Sequence, residues 1–314
     1  MLNDEAVARC LERHWGLGGA RFARLDGGMG SRTWAVDHGD RRWVLKAVVA
    51  DLGDQFASGL AVAQLVERAG IPAGVPEPGV DGDLTVAADG CRLGLLAWVP
   101  GAPLTGEDDR QRALIGTTLG RVHRALRGQS GQSGQSGQSG QSGQSGQSGQ
   151  LVPGMVRFGW VKPAADHLSL RPWLRPAVAA AVDALEGLGP RTLTQGPLHA
   201  DPAPEAFLLD RATGRCGVID WGSAVYGPVL YDLASAVMYL GGPTRATAMT
   251  SAYLAAGALL PAEAERGLAV MLRFRWAVQA DYFAWRISVN DLTGISGPEE
   301  NEKGLEDARR FLIG

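Results

Sequence analysis

Two aspartates flank a short predicted hairpin, and this stretch constrains the fold of the chain more than any other. Asp201 lies in a proline-rich loop, and Asp220 ends a short apolar run further along the chain. Residues 207–209 and 216–219 predict two strands, and residues 210–215 have the composition of the turn that joins them. Because a hairpin returns the chain on itself, the two aspartates should lie side by side. One carboxylate could then accept a proton while the other holds a metal.

The predicted elements change in character along the chain. The first third is rich in strands, with a hairpin around Asp89–Gly90 as its strongest turn signal and a proline-broken loop at residues 71–78. The remainder is mostly helical, and only residues 192–221 interrupt it with strands. The predicted strands span residues 21–25, 33–37, 43–48, 84–87 and 92–99, and the predicted helices span residues 4–15, 54–69, 108–126, 173–187, 229–240, 244–258, 262–290 and 299–312.

Residues 128–150 repeat a Gly-Gln-Ser triplet without variation. The repeat contains no apolar side chain, so it cannot bury surface to offset the entropy of ordering, and it predicts a flexible loop. Both a natural expansion and an engineered replacement would give this sequence. The repeat interrupts the helical part and is not a domain boundary, because the motifs on its two sides need each other.

Composition excludes several classes of protein. The chain has 314 residues, of which 45% are hydrophobic and 20% are charged, as is ordinary for a soluble globular enzyme. A net charge of −3 gives no reason to expect nucleic acid or an anionic membrane as a partner. The three cysteines have no metal-binding spacing, and no signal or membrane-spanning segment is recognisable. We therefore expect a cytoplasmic protein.

A glycine-rich turn and a strand lysine form a candidate phosphate site. Lys46 lies within the apolar strand 43–48, where an ammonium group is costly unless an anion meets it. Upstream, Gly28 and Gly30 would let backbone N–H groups approach phosphate oxygens, and Ser31 could add a hydroxyl. The alternative is an ordinary hairpin turn beside a lysine that reaches solvent. The turn is not a Walker loop, because no Gly-Lys-Ser/Thr opens a helix.

A series of short stretches, taken in order, resembles the aminoglycoside phosphotransferase-like small-molecule kinases, which are relatives of the protein kinases. The resemblance implies an α+β, protein-kinase-like two-lobe fold. It implies a small β-rich nucleotide-binding lobe at residues 1–99 and a large, mainly helical catalytic and acceptor-binding lobe at residues 100–314. The stretches are the Gly-rich turn, the strand that carries Lys46, and residues 95–101, 119–123, 199–201, 218–221 and 231–234.

The resemblance also implies roles for individual residues. Asp201 matches the catalytic aspartate that orients the acceptor hydroxyl and takes its proton. Asp220 matches the aspartate that coordinates Mg²⁺, and Lys46 matches the lysine that pairs with the nucleotide phosphates. The backbone between Ala97 and Val99 matches the link that binds adenine. ATP or GTP, with Mg²⁺, is therefore the expected cofactor.

Two further residues match supporting positions of the family. His199 and Asp232 match residues that brace the catalytic loop. A loop histidine and a helix-capping aspartate are the corresponding structural alternatives.

The chain departs from the family pattern at two points. The pattern His-x-Asp-x-x-x-x-Asn ends in a second metal ligand, but Ala206 occupies that place. We expect the neighbouring Glu205 to substitute, because a carboxylate suits Mg²⁺ as a hard oxygen ligand. The helical glutamate that should pair with the strand lysine would fall near Gly59, where no acid is present. Asp51 and Asp54 are the nearest candidates.

The second half of the 262–290 helix supplies candidates for acceptor binding. Trp276, Tyr282 and Trp285 could stack on a sugar or nucleoside, and Asp281 could meet an ammonium group. An aromatic stripe at helical spacing is also typical of a helix core.

The function expected from the sequence is transfer of the γ-phosphate of ATP to a hydroxyl of a small molecule, such as an aminoglycoside or another hydroxylated antibiotic. A homoserine, choline or sugar kinase of the same fold is one alternative. A catalytically impaired, nucleotide-binding pseudokinase is another. The oligomeric state is not readable from the sequence.

Overall fold

The computed structural model describes residues 2–25, 30–129, 152, 155–159 and 161–314. Gly28 and residues 130–150 of the predicted repeat lie outside the described residues. The helix Asp109–Gln129 includes the first two residues of the repeat, so the prediction of a loop was wrong at residues 128–129.

An antiparallel sheet forms the N-terminal part of the fold. Its strands follow the order β1-β2-β3-β6-β4, and β5 also pairs with β6. Side chains alternate across β3, so Leu45 and its neighbours of the same face pack under α1, whereas Lys46 points to the opposite face. Val48 lies on that face, against Phe56 and Leu60 of α2. The elements are α1 (Asp4–Trp15), β1 (Arg21–Leu25), β2 (Arg32–His38), β3 (Arg41–Val49), α2 (Gly53–Arg68), β4 (Pro76–Glu77), β5 (Val86–Ala88) and β6 (Cys91–Ala97).

The C-terminal part is mainly helical and contains two small sheets among the described residues. One sheet has the strand order β11-β10-β7, and the other has the order β8-β12-β9. Glycines bring α3 and α6 together, because a Cβ at Gly116 would lie 2.1 Å from the Met249 carbonyl oxygen. The elements are β7 (Ala102–Pro103), α3 (Asp109–Gln129), β8 (Val156–Arg157), α4 (Leu174–Leu188), β9 (Gln195–Leu198), β10 (Phe207–Asp210), β11 (Arg215–Val218), β12 (Val225–Pro228), α5 (Leu230–Tyr239), α6 (Thr247–Ala255), α7 (Pro261–Ser288) and α8 (Pro298–Ile313).

The predicted α+β architecture is confirmed, with strands first and helices after. Each predicted helix is present, and its ends differ by at most a few residues. The prediction of a loop at residues 71–78 was wrong in part, because Pro76 and Glu77 pair with β6. The strand predicted at 84–87 begins only at Val86. Within the described residues, none of the helices has the length and hydropathy that a membrane span requires.

Candidate active site

The hairpin of β10 and β11 brings the loops that carry the two predicted aspartates together. Phe207 pairs with Val218 at its open end. One residue beyond the hairpin, the Ile219 N–H donates to the Ala206 carbonyl oxygen at 2.9 Å. The Nε2 of His199, two residues before Asp201, lies 2.8 Å from the Ile219 carbonyl oxygen. The loop that carries Asp201 is therefore hydrogen-bonded to the residue that precedes Asp220, so the two loops lie side by side, as the sequence predicts.

Lys46 forms an ion pair with Asp220 across the two parts of the fold. Only 8% of Lys46 is exposed, whereas about half of the Asp220 side chain is open to solvent. Loss of solvent opposes ionisation of Asp220, but the charge and hydrogen bond of Lys46 outweigh it, so the pKa of this carboxyl is lowered. Asp220 is thus a carboxylate that already holds one cation.

Helix α2 offers Lys46 no carboxylate. Asp51 and Asp54 are exposed, and neither is the partner of Lys46. Near the expected glutamate position, Gly59 packs against the backbone that follows Asp220: a Cβ there would lie 1.9 Å from the Trp221 carbonyl oxygen. The close approach of α2 leaves no room for a side chain at this position.

A buried carboxylate, Asp232, braces the loop that carries Asp201. It accepts hydrogen bonds from the N–H groups of His199 (2.7 Å) and Ala200 (2.9 Å), and His123 Nε2 lies 3.0 Å away. Ala200 has a φ of 70°, an uncommon value for a residue with a side chain. The two N–H bonds hold the loop in this conformation. His199 and Asp232, which the sequence predicts as braces of this loop, both take part in these hydrogen bonds.

Two side chains that the sequence analysis missed contact Asp201. The Tyr239 hydroxyl donates a hydrogen bond to Asp201 Oδ1. Arg275 Nη2 donates to the Tyr239 oxygen at 2.9 Å and lies 3.6 Å from the same carboxylate oxygen. Neither residue belongs to a recognisable local motif. Only the packing of α5 and α7 brings them to this loop.

The position predicted for a second metal ligand lies in a short turn before β10. Ala206 is buried in the main core, and Glu205 is exposed on the turn Pro204–Ala206. Within the described residues, no group of three His, Cys, Asp or Glu side chains has the arrangement of a metal site. The structure therefore does not gather Glu205 with Asp201 and Asp220 into such a group.

The predicted nucleotide-binding residues lie on the N-terminal sheet and at its end. Ala97 is the last residue of β6, and its N–H donates to the Val75 carbonyl oxygen at 2.8 Å. Val99 is buried just beyond it. Gly30 is exposed, with open space where a Cβ would stand, and Ser31 is half-buried immediately before β2.

The four candidate acceptor residues on α7 separate into two pairs. Trp276 stacks on a phenyl ring of α8, with ring centroids 5.3 Å apart. Asp281 lies 2.8 Å from His167 Nε2. Tyr282 and Trp285, in contrast, are exposed. The first pair is held by contacts within the protein. In the second pair, part of each ring faces solvent, although the Tyr282 hydroxyl also accepts a hydrogen bond from Arg286 Nη1 at 3.0 Å.

Sequence comparison identifies the family. The profile of the phosphotransferase enzyme family matches residues 21–269, most of the chain. The chain belongs to this family. Its matched region includes Lys46, Asp201 and Asp220, whereas Arg275 and the exposed acceptor candidates lie beyond it. No curated protein sequence matches the chain significantly.

Solved structures of small-molecule kinases share the fold of this phosphotransferase. A microcompartment-associated aminopropanol kinase is 16% identical, with a TM-score of 0.67, and the alignment covers 98% of this chain and 94% of that chain. An amicoumacin kinase, solved with AMP-PNP and Ca²⁺, is 14% identical, with a TM-score of 0.69 and coverages of 99% and 93%. A thermostable mutant of the aminoglycoside phosphotransferase APH(4)-Ia is 16% identical, with a TM-score of 0.64 and coverages of 98% and 99%.

Substitution of Gly59 tests the packing of α2 against the active site. We expect Gly59→Ala to lower the free energy of unfolding by about 1–3 kcal/mol, because the new Cβ overlaps the Trp221 carbonyl oxygen. Gly187→Ala in α4 is the matched control, since a Cβ there meets open space and alanine favours a helix. Urea unfolding measures both. Equal stability of the two variants would contradict the close contact.

Proposed function

We propose that the chain is an ATP-dependent kinase that transfers the γ-phosphoryl group to a hydroxyl of a small molecule. The observation that carries the proposal is the arrangement around the hairpin. Asp220 holds the Lys46 ammonium, and the adjacent loop presents the half-exposed carboxylate of Asp201. Phosphoryl transfer requires positioning and neutralisation of charge more than covalent chemistry, and these groups supply both.

Asp201 is the proposed catalytic base. Its Oδ1 is occupied by Tyr239, and just over half of its side chain is exposed. A carboxylate in this setting can accept the hydrogen bond of an acceptor hydroxyl and take its proton as the bond to phosphorus forms. The bonds of Asp232 to the loop fix the backbone from which Asp201 projects.

Asp220 is the proposed principal ligand of Mg²⁺. The fit rests on its half-exposed, ionised carboxylate, and Mg²⁺ is commonly held by one or two carboxylates together with phosphates and water. The ion would neutralise charge on the phosphates. Lys46 would bind the phosphates from the strand side, as its position beside Asp220 allows. Glu205, whose side chain is exposed, is the proposed second ligand.

The proposed adenine site is the link between the sheet and the helices. Because the Ala97 N–H is already bonded to Val75, the base would use the carbonyl groups of this link and the N–H of Val99. Gly28, Gly30 and Ser31 remain the proposed phosphate-binding turn, with Gly28 outside the described residues.

Tyr282 and Trp285 form the proposed acceptor surface. Both are exposed on one side of α7, three residues apart, where aromatic rings can stack on a flat or cyclic molecule. The acceptors include hydroxylated antibiotics such as aminoglycosides, and the alternatives are homoserine, choline and sugars. A pseudokinase would bind nucleotide through Lys46 but would turn over no acceptor.

An ATP-consumption screen tests the proposed activity. We expect Mg²⁺-dependent ADP formation with at least one compound among hydroxylated antibiotics, amino alcohols and sugars. Asp201→Asn should lower this turnover at least about 100-fold, because it removes the proton acceptor. Thermal stabilisation by Mg²⁺–ATP should persist in the variant, since Asp201 is not a proposed nucleotide ligand. Binding of ATP without turnover of any compound would favour the pseudokinase.

Substitution of Glu205 tests the second metal ligand. Glu205→Ala should raise the Mg²⁺ concentration for half-maximal turnover several-fold, because a carboxylate ligand is lost. Glu186→Ala removes an exposed carboxylate from α4 and serves as the control. A titration curve of Glu205→Ala that matches the control would exclude Glu205 as a ligand and would leave the role of Asp220 unaffected.

A further inference from the structure

A chain of three polar groups leads from α7 to Asp201. The Arg275 guanidinium donates to the Tyr239 oxygen at 2.9 Å, and the Tyr239 hydroxyl donates to Asp201 Oδ1. Arg275 also lies over the Tyr239 ring, 5.4 Å from its centroid. The three residues come from α7, from the end of α5 and from the loop before β10. The chain therefore ties two helices of the C-terminal part to the proposed base.

The inner end of this bridge is a buried guanidinium. Only 7% of Arg275 is exposed, and within the described residues its Nε is buried without a hydrogen-bond partner. A buried guanidinium is costly unless an anion faces it. For Arg275 this anion is Asp201, whose Oδ1 lies 3.6 Å from Nη2. Loss of solvent raises the pKa of Tyr239, the Arg275 cation opposes this rise, and Asp201 reinforces it. The phenol therefore stays protonated and keeps donating.

The outer end of the bridge from Arg275 through Tyr239 is the Asp201 carboxylate, a side chain that can change its rotamer. About half of the Asp201 side chain is exposed, on a loop. An exposed carboxylate can rotate about its side-chain bonds, and each misplaced orientation removes the base from the acceptor hydroxyl. The Tyr239 hydrogen bond and the Arg275 charge both act on Oδ1. Among the described residues, none donates a hydrogen bond to Oδ2, which is thus left for the acceptor.

We propose that Tyr239 and Arg275 are positioning residues, which hold Oδ1 of Asp201 so that Oδ2 faces the acceptor hydroxyl. This inference rests on the proposed kinase activity. Tyr239 lies within the region that matches the family profile, and Arg275 lies on α7 beyond its end.

Conservative substitutions test the bridge in the turnover assay. Tyr239→Phe should lower kcat about ten-fold and leave the KM for ATP unchanged, because the lost hydrogen bond acts on the base alone. Arg275→Lys keeps the charge and should retain more activity than Arg275→Met. Tyr226→Phe, on β12 and away from the bridge, should behave as the wild type. Wild-type kcat in both Tyr239→Phe and Arg275→Met would overturn the proposal.

A double-mutant cycle tests the same contact without turnover. Tyr239→Phe, Asp201→Ala and the double variant are compared by urea unfolding. If the bridge exists, the shift of the midpoint in the double variant should be smaller than the sum of the single shifts. Additive shifts would overturn the proposal. If the wild type turns over no acceptor, the kinase proposal fails, and this cycle alone decides whether Tyr239 holds Asp201.

Discussion

The ion pair between Lys46 and Asp220 is the contact on which the arrangement of the site depends. It joins a strand of the N-terminal sheet to Asp220, two residues beyond the β10–β11 hairpin. An ammonium group this deeply buried requires a counter-charge, and α2 cannot supply one, because Gly59 meets the Trp221 carbonyl. The same close packing therefore explains why α2 has a glycine at position 59 and why Lys46 pairs with Asp220 instead of with a residue of α2.

The loops that carry Asp201 and Asp220 each contain a residue with a strained backbone. Ala200 and Asp220 both have a left-handed φ, near 70°, which costs of order 1–3 kcal/mol per residue for residues with a side chain. Asp232 offsets part of this cost, because its buried carboxylate binds the N–H groups of His199 and Ala200. The strain therefore falls on Asp220 itself and on the residue before Asp201. Hydrogen bonds to these loops hold the backbone in this conformation.

Sequence patterns predicted the strands, helices and turns, which depend on residues that are close together in the sequence. The strand that carries Lys46 followed from its apolar run, and the hairpin around Asp210 to Arg215 followed from turn composition. Contacts that arise only from tertiary packing left no such signal. Tyr239 and Arg275 sit in helices whose periodicity predicts burial and nothing about a carboxylate on another loop. Short pairings such as Pro76–Glu77 also escaped, because two residues are too few for a periodic pattern.

Each of the two aspartates of the proposed site is paired with a cation. In the chain alone, Lys46 neutralises Asp220, and Arg275 faces Asp201, so each half-exposed carboxylate is already paired with a buried cation. If this pair binds nucleotide and metal as proposed, a metal ion at Asp220 would replace Lys46 as its positive partner and would free Lys46 to bind a phosphate, so the two binding events would be coupled. Asp201 needs no such exchange, because Tyr239 and Arg275 engage one oxygen only. Under the proposed function, ligands would rearrange the Lys46–Asp220 pair, whereas the contacts of Tyr239 and Arg275 with Asp201 would persist during the reaction.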